Sequence, residues 1–453
     1  MKTNIYLPIE IKRRELYSRI YIAIFAALKG YRVTLGKKSR FHEFYKKLKP
    51  GNYISKSIGV NNIEYFKNLK NLGHKILYID EEGLMSFNKE FTHRRIIKNS
   101  LELIDTFFTW GSKHQSDMID LYPDFRNKYK VVGNPRFDII KKDSKSFYLD
   151  EVRKIKDING DFFLLTTKFG KTNYVKRKNI SNYYDSQILK GLLPTNELKN
   201  ICKRSIKHEE ENFNNFLEFI KLFSKSLPNK KLIILVHPTE DKSTYEKLII
   251  NMKNIKLAND FSSNSWILSS NLIIQNNCTT SLEAYLLGVR SVQLNFFQDS
   301  AVEYEIPKIV SEIFQSNQKL ISFLDNFQKT DFQNEEKYQK NLTSMKKHIE
   351  NISDQNSVEL ILNNLFDFKN SEYEVEYKLE KIIYKFKNFK RYLFNYFINK
   401  GGIELANNKI PKLDFKEVEN FMKRIIEAEG NLTKNITLKE NLPGLFTIET
   451  ENK

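Results

Sequence analysis

The residues best suited to chemistry lie at the ends of apolar runs. Asp80, Glu81 and Glu82 follow the strand-like run Lys75–Ile79 and precede Gly83. Three adjacent carboxylates repel one another, which suits a general base, and the glycine lets the backbone turn sharply toward a substrate. The plain alternative is an acidic loop that caps the next helix. His237 and Pro238 follow Leu232–Leu235. An imidazole there can donate to a phosphate or protonate a leaving group, and the proline fixes an extended strand tip. In the stretch 275–288, Cys278, Thr279, Thr280, Ser281 and Glu283 stand between an apolar run and a helix closed by Gly288. Hydroxyls at a helix start, beside free N–H groups and the positive end of the helix dipole, form a phosphate-binding corner. N-capping by Thr279 or Thr280 is the simpler reading of the same residues. Thr166 and Thr167, ahead of Lys168 and Gly170, sit at another strand exit from which hydroxyls can reach a leaving phosphate. Gly133-Asn134-Pro135 makes a tight exit into a helix; Asn134 and Arg136 are candidate phosphate or acceptor contacts, and Asp138 a local cap.

Such residues meet only if the strand ends converge. Strand-like runs at Ile5–Leu7, Tyr31–Leu35, Tyr53–Ser55, Lys75–Ile79, Thr106–Trp110 and Lys130–Val132 alternate with helical patterns at Arg14–Leu28, Asn62–Asn71 and Ser112–Leu121. A Lys-, Asp- and Ser-rich linker then precedes a second alternation. It holds Asp161–Thr167, Lys231–Val236, Ile255–Leu257, Leu272–Ile274 and Ser291–Leu294, with a helix over Glu209–Ser226 and helical segments near 335–366. Short strand–helix connections are the signature of parallel α/β sheets. The expected organisation is an N-terminal Rossmann-like acceptor domain over 1–145 and a C-terminal Rossmann-like donor domain over 160–367. A polar insertion (168–200) interrupts the second, and a basic aromatic helical tail follows over 370–453.

Composition narrows the classes. The 453 residues, 40% apolar and 13% aromatic, are enough for two or three globular domains. A formal charge of +19 calls for anionic partners: a nucleic acid, an acidic membrane surface or a phosphorylated substrate. Lysine is spread along the chain, so part of the charge is background usage. Lys381–Lys400 carries six basic residues, seven aromatics and no acid, a pattern that can lie on an anionic membrane or pack its ring stripe on the domains. No compact nucleic-acid module accompanies it, so no nucleic-acid partner is expected. Cys202 and Cys278 are too far apart for a metal-ligand spacing, which points to a reducing cytoplasm and no metal. No signal peptide or membrane-spanning run is legible.

Neither a Gly-x-x-x-x-Gly-Lys-Ser/Thr loop nor a Gly-x-Gly-x-x-Gly opens either half, which takes support from ATPases and NAD enzymes. No Asp-x-Asp pair offers to bridge a metal to a nucleotide sugar. The ordered set Asp80-Glu81-Glu82-Gly83, Gly133-Asn134-Pro135-Arg136-Phe137-Asp138, His237-Pro238 and Cys278-Thr279-Thr280-Ser281-Leu282-Glu283-Ala284 resembles bacterial surface carbohydrate biosynthesis proteins. Those are similar to GT-B glycosyltransferases that use CMP-activated ulosonic acids, the Kdo transferases and bacterial sialyltransferases. The resemblance covers about 1–365, with a weaker echo at Lys409-Ile410-Pro411.

It implies a GT-B-like fold, two Rossmann-like domains facing a cleft, with no cofactor beyond the CMP-sugar donor. It implies that Glu82 or Glu81 is the base on the acceptor hydroxyl and that His237, beside Pro238, contacts the CMP phosphate and helps it leave. Thr279, Thr280 and Ser281 would hold the phosphate or the sugar carboxylate, with Glu283 near the ribose. A CMP-ulosonate already carries its leaving phosphate on an electron-poor anomeric carbon, so metal assistance is less needed than for a diphosphate sugar. The expected activity is transfer of a Kdo-like or sialic-like sugar to a surface glycan. The acceptor would be a glycan or lipid-linked glycan at the cytoplasmic membrane face. The alternatives are a nucleotide-sugar epimerase or polyol-phosphate transferase of double-Rossmann type, and a membrane-peripheral assembly protein without activity.

Overall fold

The computed structural model describes residues 3–451 apart from 82, 85, 141–145, 176–180, 260, 331–332, 334, 353–355, 369–412 and 431–434. Glu82 and the basic aromatic stretch Lys381–Lys400 therefore lie outside the described residues, as does the echo at Lys409–Pro411.

The alternation resolves into two sheets. In the first, β1 (Asn4–Ile9), β2 (Arg32–Lys37), β3 (Gly51–Ser55), β4 (Lys75–Ile79), β5 (Thr106–Thr109) and β6 (Tyr129–Val131) run parallel in the order β2-β1-β3-β4-β5-β6. The second holds β7 (Phe163–Thr166), β8 (Leu232–Leu235), β9 (Ile255–Leu257), β10 (Leu272–Gln275), β11 (Ser291–Leu294) and β12 (Glu312–Phe314). These too are parallel, in the order β12-β11-β10-β7-β8-β9. Helices cover both faces of each sheet. For that reason Leu232–Leu235 and Leu272–Gln275 are buried at every position and read as unbroken apolar runs. Each sheet reverses its strand order once, beside β1 and between β7 and β10, and crevices at the carboxyl ends of such strands are where α/β folds bind ligands.

The chain end departs from the expected helical tail. The helix Phe415–Glu429 buries Val418, Phe421, Met422 and Ile425 against α1 (Lys12–Leu28), and the Phe421 ring stacks on Tyr17 at 3.8 Å. The hairpin β13 (Ile436–Leu442) and β14 (Leu445–Thr450) then joins the N-terminal sheet, with β14 antiparallel to β2. The helix Phe415–Glu429 and the hairpin Ile436–Thr450 thus complete the first domain instead of forming a separate one. The physical reason is the β2 edge, whose unpaired N–H and C=O groups the hairpin covers. Pro443-Gly444, with Gly444 at φ +75°, is the turn that permits it. The described residues of the 168–200 insertion include helical structure. They contain the helix Tyr183–Leu189 and the start of the 31-residue helix Asn196–Ser226, longer at its N-terminus than the expected Glu209–Ser226. Among the described residues no helix is long and apolar enough to cross a membrane.

A clasp ties the returning chain to the first domain. Asn351 Oδ1 accepts from the Asn134 N–H at 3.0 Å, and its Nδ2 donates to the Asn134 carbonyl at 3.0 Å and to Asp138 Oδ1 at 2.6 Å. Asp138 in turn caps the helix Ser357–Leu362 by accepting from the Ser357 and Val358 N–H groups. Gly133, at φ +81°, admits this contact, because a Cβ there would lie 2.0 Å from Asn351 Oδ1. Gly133→Ala should therefore destabilise the protein by about 2 kcal/mol or more. Urea unfolding monitored by circular dichroism checks this; an unchanged midpoint would contradict the clasp.

Candidate active site

One cleft of about 340 Å³ opens between the two domains, at the carboxyl ends of β1 and β4 on one side and of β7, β8 and β10 on the other. Its walls include Glu81, Arg136, Thr166, Thr167, His237, Pro238, Cys278, Thr279, Thr280 and Glu283, which the sequence pattern had scattered over more than 200 positions. A cavity of this size is at the low end of small-molecule sites.

On the first domain, Asp80 and Glu81 leave the end of β4 in different directions. The Asp80 carboxylate is bound by Arg95 and faces the rings of His93 and His114, at 3.9 and 3.7 Å. Glu81 is buried, with Arg19 Nη2 3.4 Å from Oε1 and Arg136 Nη1 4.0 Å from Oε2. Its Oε2 accepts no hydrogen bond among the described residues. Each carboxylate has its own cation, so mutual repulsion is not what sets this loop. Gly83 packs directly on the His114 ring, where a Cβ would come within 2.1 Å of Cε1. Arg136 reaches across the cleft to Glu283 of the second domain.

Asp80, His93 and His114 hold ligand atoms within 4.8 Å of one another, a donor set suited to a divalent ion. Two contacts already occupy it. Arg95 neutralises Asp80, and His114 Nδ1 accepts from the Trp110 N–H at 3.3 Å, which puts the ring proton on Nε2, the nitrogen that faces Asp80. Burial lowers both imidazoles, His93 to about 3 and His114 to about 4, so both are neutral near pH 7.

On the second domain the strand exits interlock. The Thr166 and Thr280 hydroxyls meet at 2.9 Å, joining β7 to the helix Thr280–Leu287 at the reversal of strand order. Thr279 makes no side-chain cap hydrogen bond, so the simple capping role does not occupy its hydroxyl. Lys168 donates to the Asn277 carbonyl at 2.7 Å and lies 4.2 Å from the centre of the Tyr304 ring; burial lowers its pKa. Asn277 adopts φ +45°, in the left-handed region, with its side chain tied to the backbone of Tyr304. His237 donates its backbone N–H to Thr167 Oγ1 at 2.9 Å, and its Nδ1 meets the Thr239 hydroxyl at 2.8 Å and the Thr239 N–H at 3.3 Å. In the tautomer whose Nδ1 accepts from both Thr239 groups, Nε2 carries the proton and can donate to a phosphate.

Behind His237 lies a residue without a sequence signal. Glu240 is fully buried and accepts from Thr167 Oγ1 (2.7 Å), the Phe169 N–H (2.9 Å) and the Tyr245 hydroxyl (2.5 Å). It orients the threonine that supports His237. Desolvation pushes its carboxyl up to about 7, against the pull of those donors.

Two sequence candidates do not line the cleft. Ser281 is buried and donates to the Cys278 carbonyl at 2.7 Å, the ordinary local bond of a hydroxyl in the first helical turn. Asn134 is buried too; its Oδ1 caps the helix Pro135–Asp138 by accepting from the Arg136 N–H at 3.0 Å. Glu283 lines the cleft and pairs there with Arg136 of the first domain. The residues that the sequence reading missed are Arg14, Phe87, Phe91, Arg94, Arg95, Lys171 and Tyr304, with Lys168 noted only as part of its strand exit. The Phe87–Arg95 segment has no glycine or strand-end signal, and only packing turns it to the cleft.

No protein-family model matches the chain, and no curated protein sequence does. Solved structures do match. The two facing Rossmann-like domains have the GT-B arrangement. A structure of the wall teichoic acid polymerase TagF with CDPG is similar at a TM-score of 0.51 and 11% identity, over 80% of this chain and 87% of that one. The UDP-GlcNAc 2-epimerase from Neisseria meningitidis bound to UDP-GlcNAc gives 0.47 and 14%, over 80% and 99%. The Methanocaldococcus jannaschii UDP-GlcNAc 2-epimerase with UDP-GlcNAc and UDP gives 0.44 and 16%, over 76% and 99%. At such identities the likeness is one of fold.

Glu240 generates a test. Its folded pKa is raised, so the native state holds the proton more tightly than the unfolded chain. The stability this contributes is complete below about pH 4.5 and is lost as pH rises through about 7. Glu240→Gln keeps an acceptor for Thr167 and cannot ionise. Relative to the variant, the wild type should lose on the order of 3 kcal/mol between pH 5 and 8. Parallel denaturation curves across that range, with a constant difference, would remove Glu240 from this role.

Proposed function

We propose that this protein is a GT-B glycosyltransferase that moves a Kdo-like or sialic-like ulosonic acid from CMP to a surface glycan. The observation that supports this most is the pairing, in one cleft, of a buried carboxylate oxygen on Glu81 with a phosphate-suited corner opposite. That corner comprises Thr279, Thr280, Lys168 and the Nε2–H of His237.

In the proposed reaction Glu81 takes the proton of the acceptor hydroxyl, whose oxygen forms the new bond to the anomeric carbon. The anomeric carbon–phosphate oxygen bond breaks, and CMP leaves with its developing charge met by Lys168, the helix dipole and a proton from His237. Arg19 and Arg136, at 3.4 and 4.0 Å, hold Glu81 in place. Glu82, next to it in sequence, is the other candidate for the base. The acceptor is proposed to be lipid-linked at the cytoplasmic membrane face, on the strength of the basic aromatic stretch Lys381–Lys400.

A second reading, transfer of a polyol phosphate from a CDP-linked donor, draws on the likeness to TagF, whose structure was determined with CDPG. Nucleotide preference separates the two. Under the main reading CMP raises the melting temperature, UDP and CDP-glycerol do so less, and CMP-N-acetylneuraminate or CMP-Kdo is turned over. Stabilisation and turnover of CDP-glycerol alone would transfer the assignment to the second reading.

Glu81→Gln should lower transfer by about 10²-fold or more while leaving stabilisation by CMP intact. His237→Ala should lower both. Full transfer activity in either folded variant would sink the assignment of these residues.

A further inference from the structure

Six cations line the cleft, and four of them already face carboxylates: Arg14 with Glu15, Arg95 with Asp80, Arg136 with Glu283 and Lys171 with Glu209. Lys168 and Arg94 make no ion pair among the described residues. Among the described residues the Arg94 guanidinium donates only to neutral oxygens: the Phe91 carbonyl, the Tyr183 hydroxyl at 2.9 Å and Gln187 Oε1 at 3.0 Å. Its Nε is buried with no hydrogen-bond partner among the described residues. A partly buried cation without an anion costs free energy that a bound anion would return.

The two unpaired cations are joined by a run of rings. Lys168 lies over Tyr304, Tyr304 is 5.3 Å from Phe87, Phe87 is 5.5 Å from Phe91, and the Arg94 guanidinium sits 4.0 Å from the Phe91 ring centre. All five side chains line the cleft. Phe87 and Tyr304, both half-buried, offer the apolar faces of sugar rings a place to pack, buried Phe91 backs the Arg94 guanidinium, and a cation at each end fixes charged groups spaced along the wall. Lys168, with His237 and the helix start at Thr280, answers the donor phosphate. Arg94 stands at the other end, and the second domain's helix Tyr183–Leu189 holds it there.

We propose that the acceptor is itself acidic, and that Phe87, Phe91 and Arg94 form the subsite for its anionic terminal unit. This rests on the donor–acceptor reading of the cleft given above. The shared chemistry is one carboxylate or phosphate on or next to the terminal sugar or polyol. A transferase with such a subsite can accept its own acidic product, so it suits the extension of an acidic polymer.

Isothermal titration of the full chain with saturating CMP tests the subsite. The carboxylate arm is 3′-sialyllactose against lactose, and the phosphate arm is sn-glycerol 3-phosphate against glycerol. At least one anionic ligand should bind about ten-fold or more tightly than its neutral parent. Arg94→Gln should erase that preference and leave CMP affinity unchanged. Tyr183→Phe, which removes one tether and keeps the charge, should retain it. Arg94→Lys should restore part of it, which loss of folding or of the tether alone would not allow. No preference in either arm with the wild type, or a preference that survives Arg94→Gln, overturns the proposal. Failure of CMP to bind the wild type would instead count against the donor reading, and the four acceptor titrations without CMP would still decide the subsite.

Discussion

Arg136 is the contact on which the geometry of the cleft depends. Its guanidinium binds Glu283 from the second domain and stands 4.0 Å from Glu81 in the first. One side chain therefore links the candidate base to the donor corner. Such a charge is useful only if its backbone cannot shift. Asn134 caps the turn that carries it, Asn351 holds that turn from the returning chain, and Gly133 gives the space for that contact. Without the partner domain Arg136 would still neutralise Glu81, but the cleft would have no fixed width.

The electrostatics of the cleft follow from the same layout. Carboxylates are present, yet each is answered by an arginine or a lysine, so the surplus that remains is positive and sits on Lys168 and Arg94. Low local polarity strengthens both the attraction to an anionic ligand and the cost of leaving the site empty of counter-charge. The overall +19 is spread widely and says little by itself. What matters is that two cations are held among aromatic rings where water screens them poorly.

The second domain adds a layer beneath the chemistry. Glu240 links Thr167, Phe169 and Tyr245 in one buried hub, and the loop from His237 to Glu240 is further paired with the start of the insertion, where the Val175 N–H donates to the Thr239 carbonyl. The insertion then reaches over to Arg94 through Tyr183 and Gln187. The polar segment that interrupts the domain thus connects the donor corner with the proposed acceptor end.

The sequence by itself determined the strands, because parallel strands buried on both faces must be apolar throughout, and it pointed to His237, Thr279, Thr280 and Glu81 because each ends such a run. It also carried a missed signal, Pro443-Gly444 between two strand-like runs, for the hairpin that closes the first sheet. Only the tertiary structure decided partners. That Glu283 meets Arg136 and that Asn134 meets Asn351 depended on contacts between distant residues. Local pattern encodes the direction of a strand and the start of a helix. The side chains that fill the space beyond them, such as Arg94 and Glu240, are chosen by packing between segments that have no period in common.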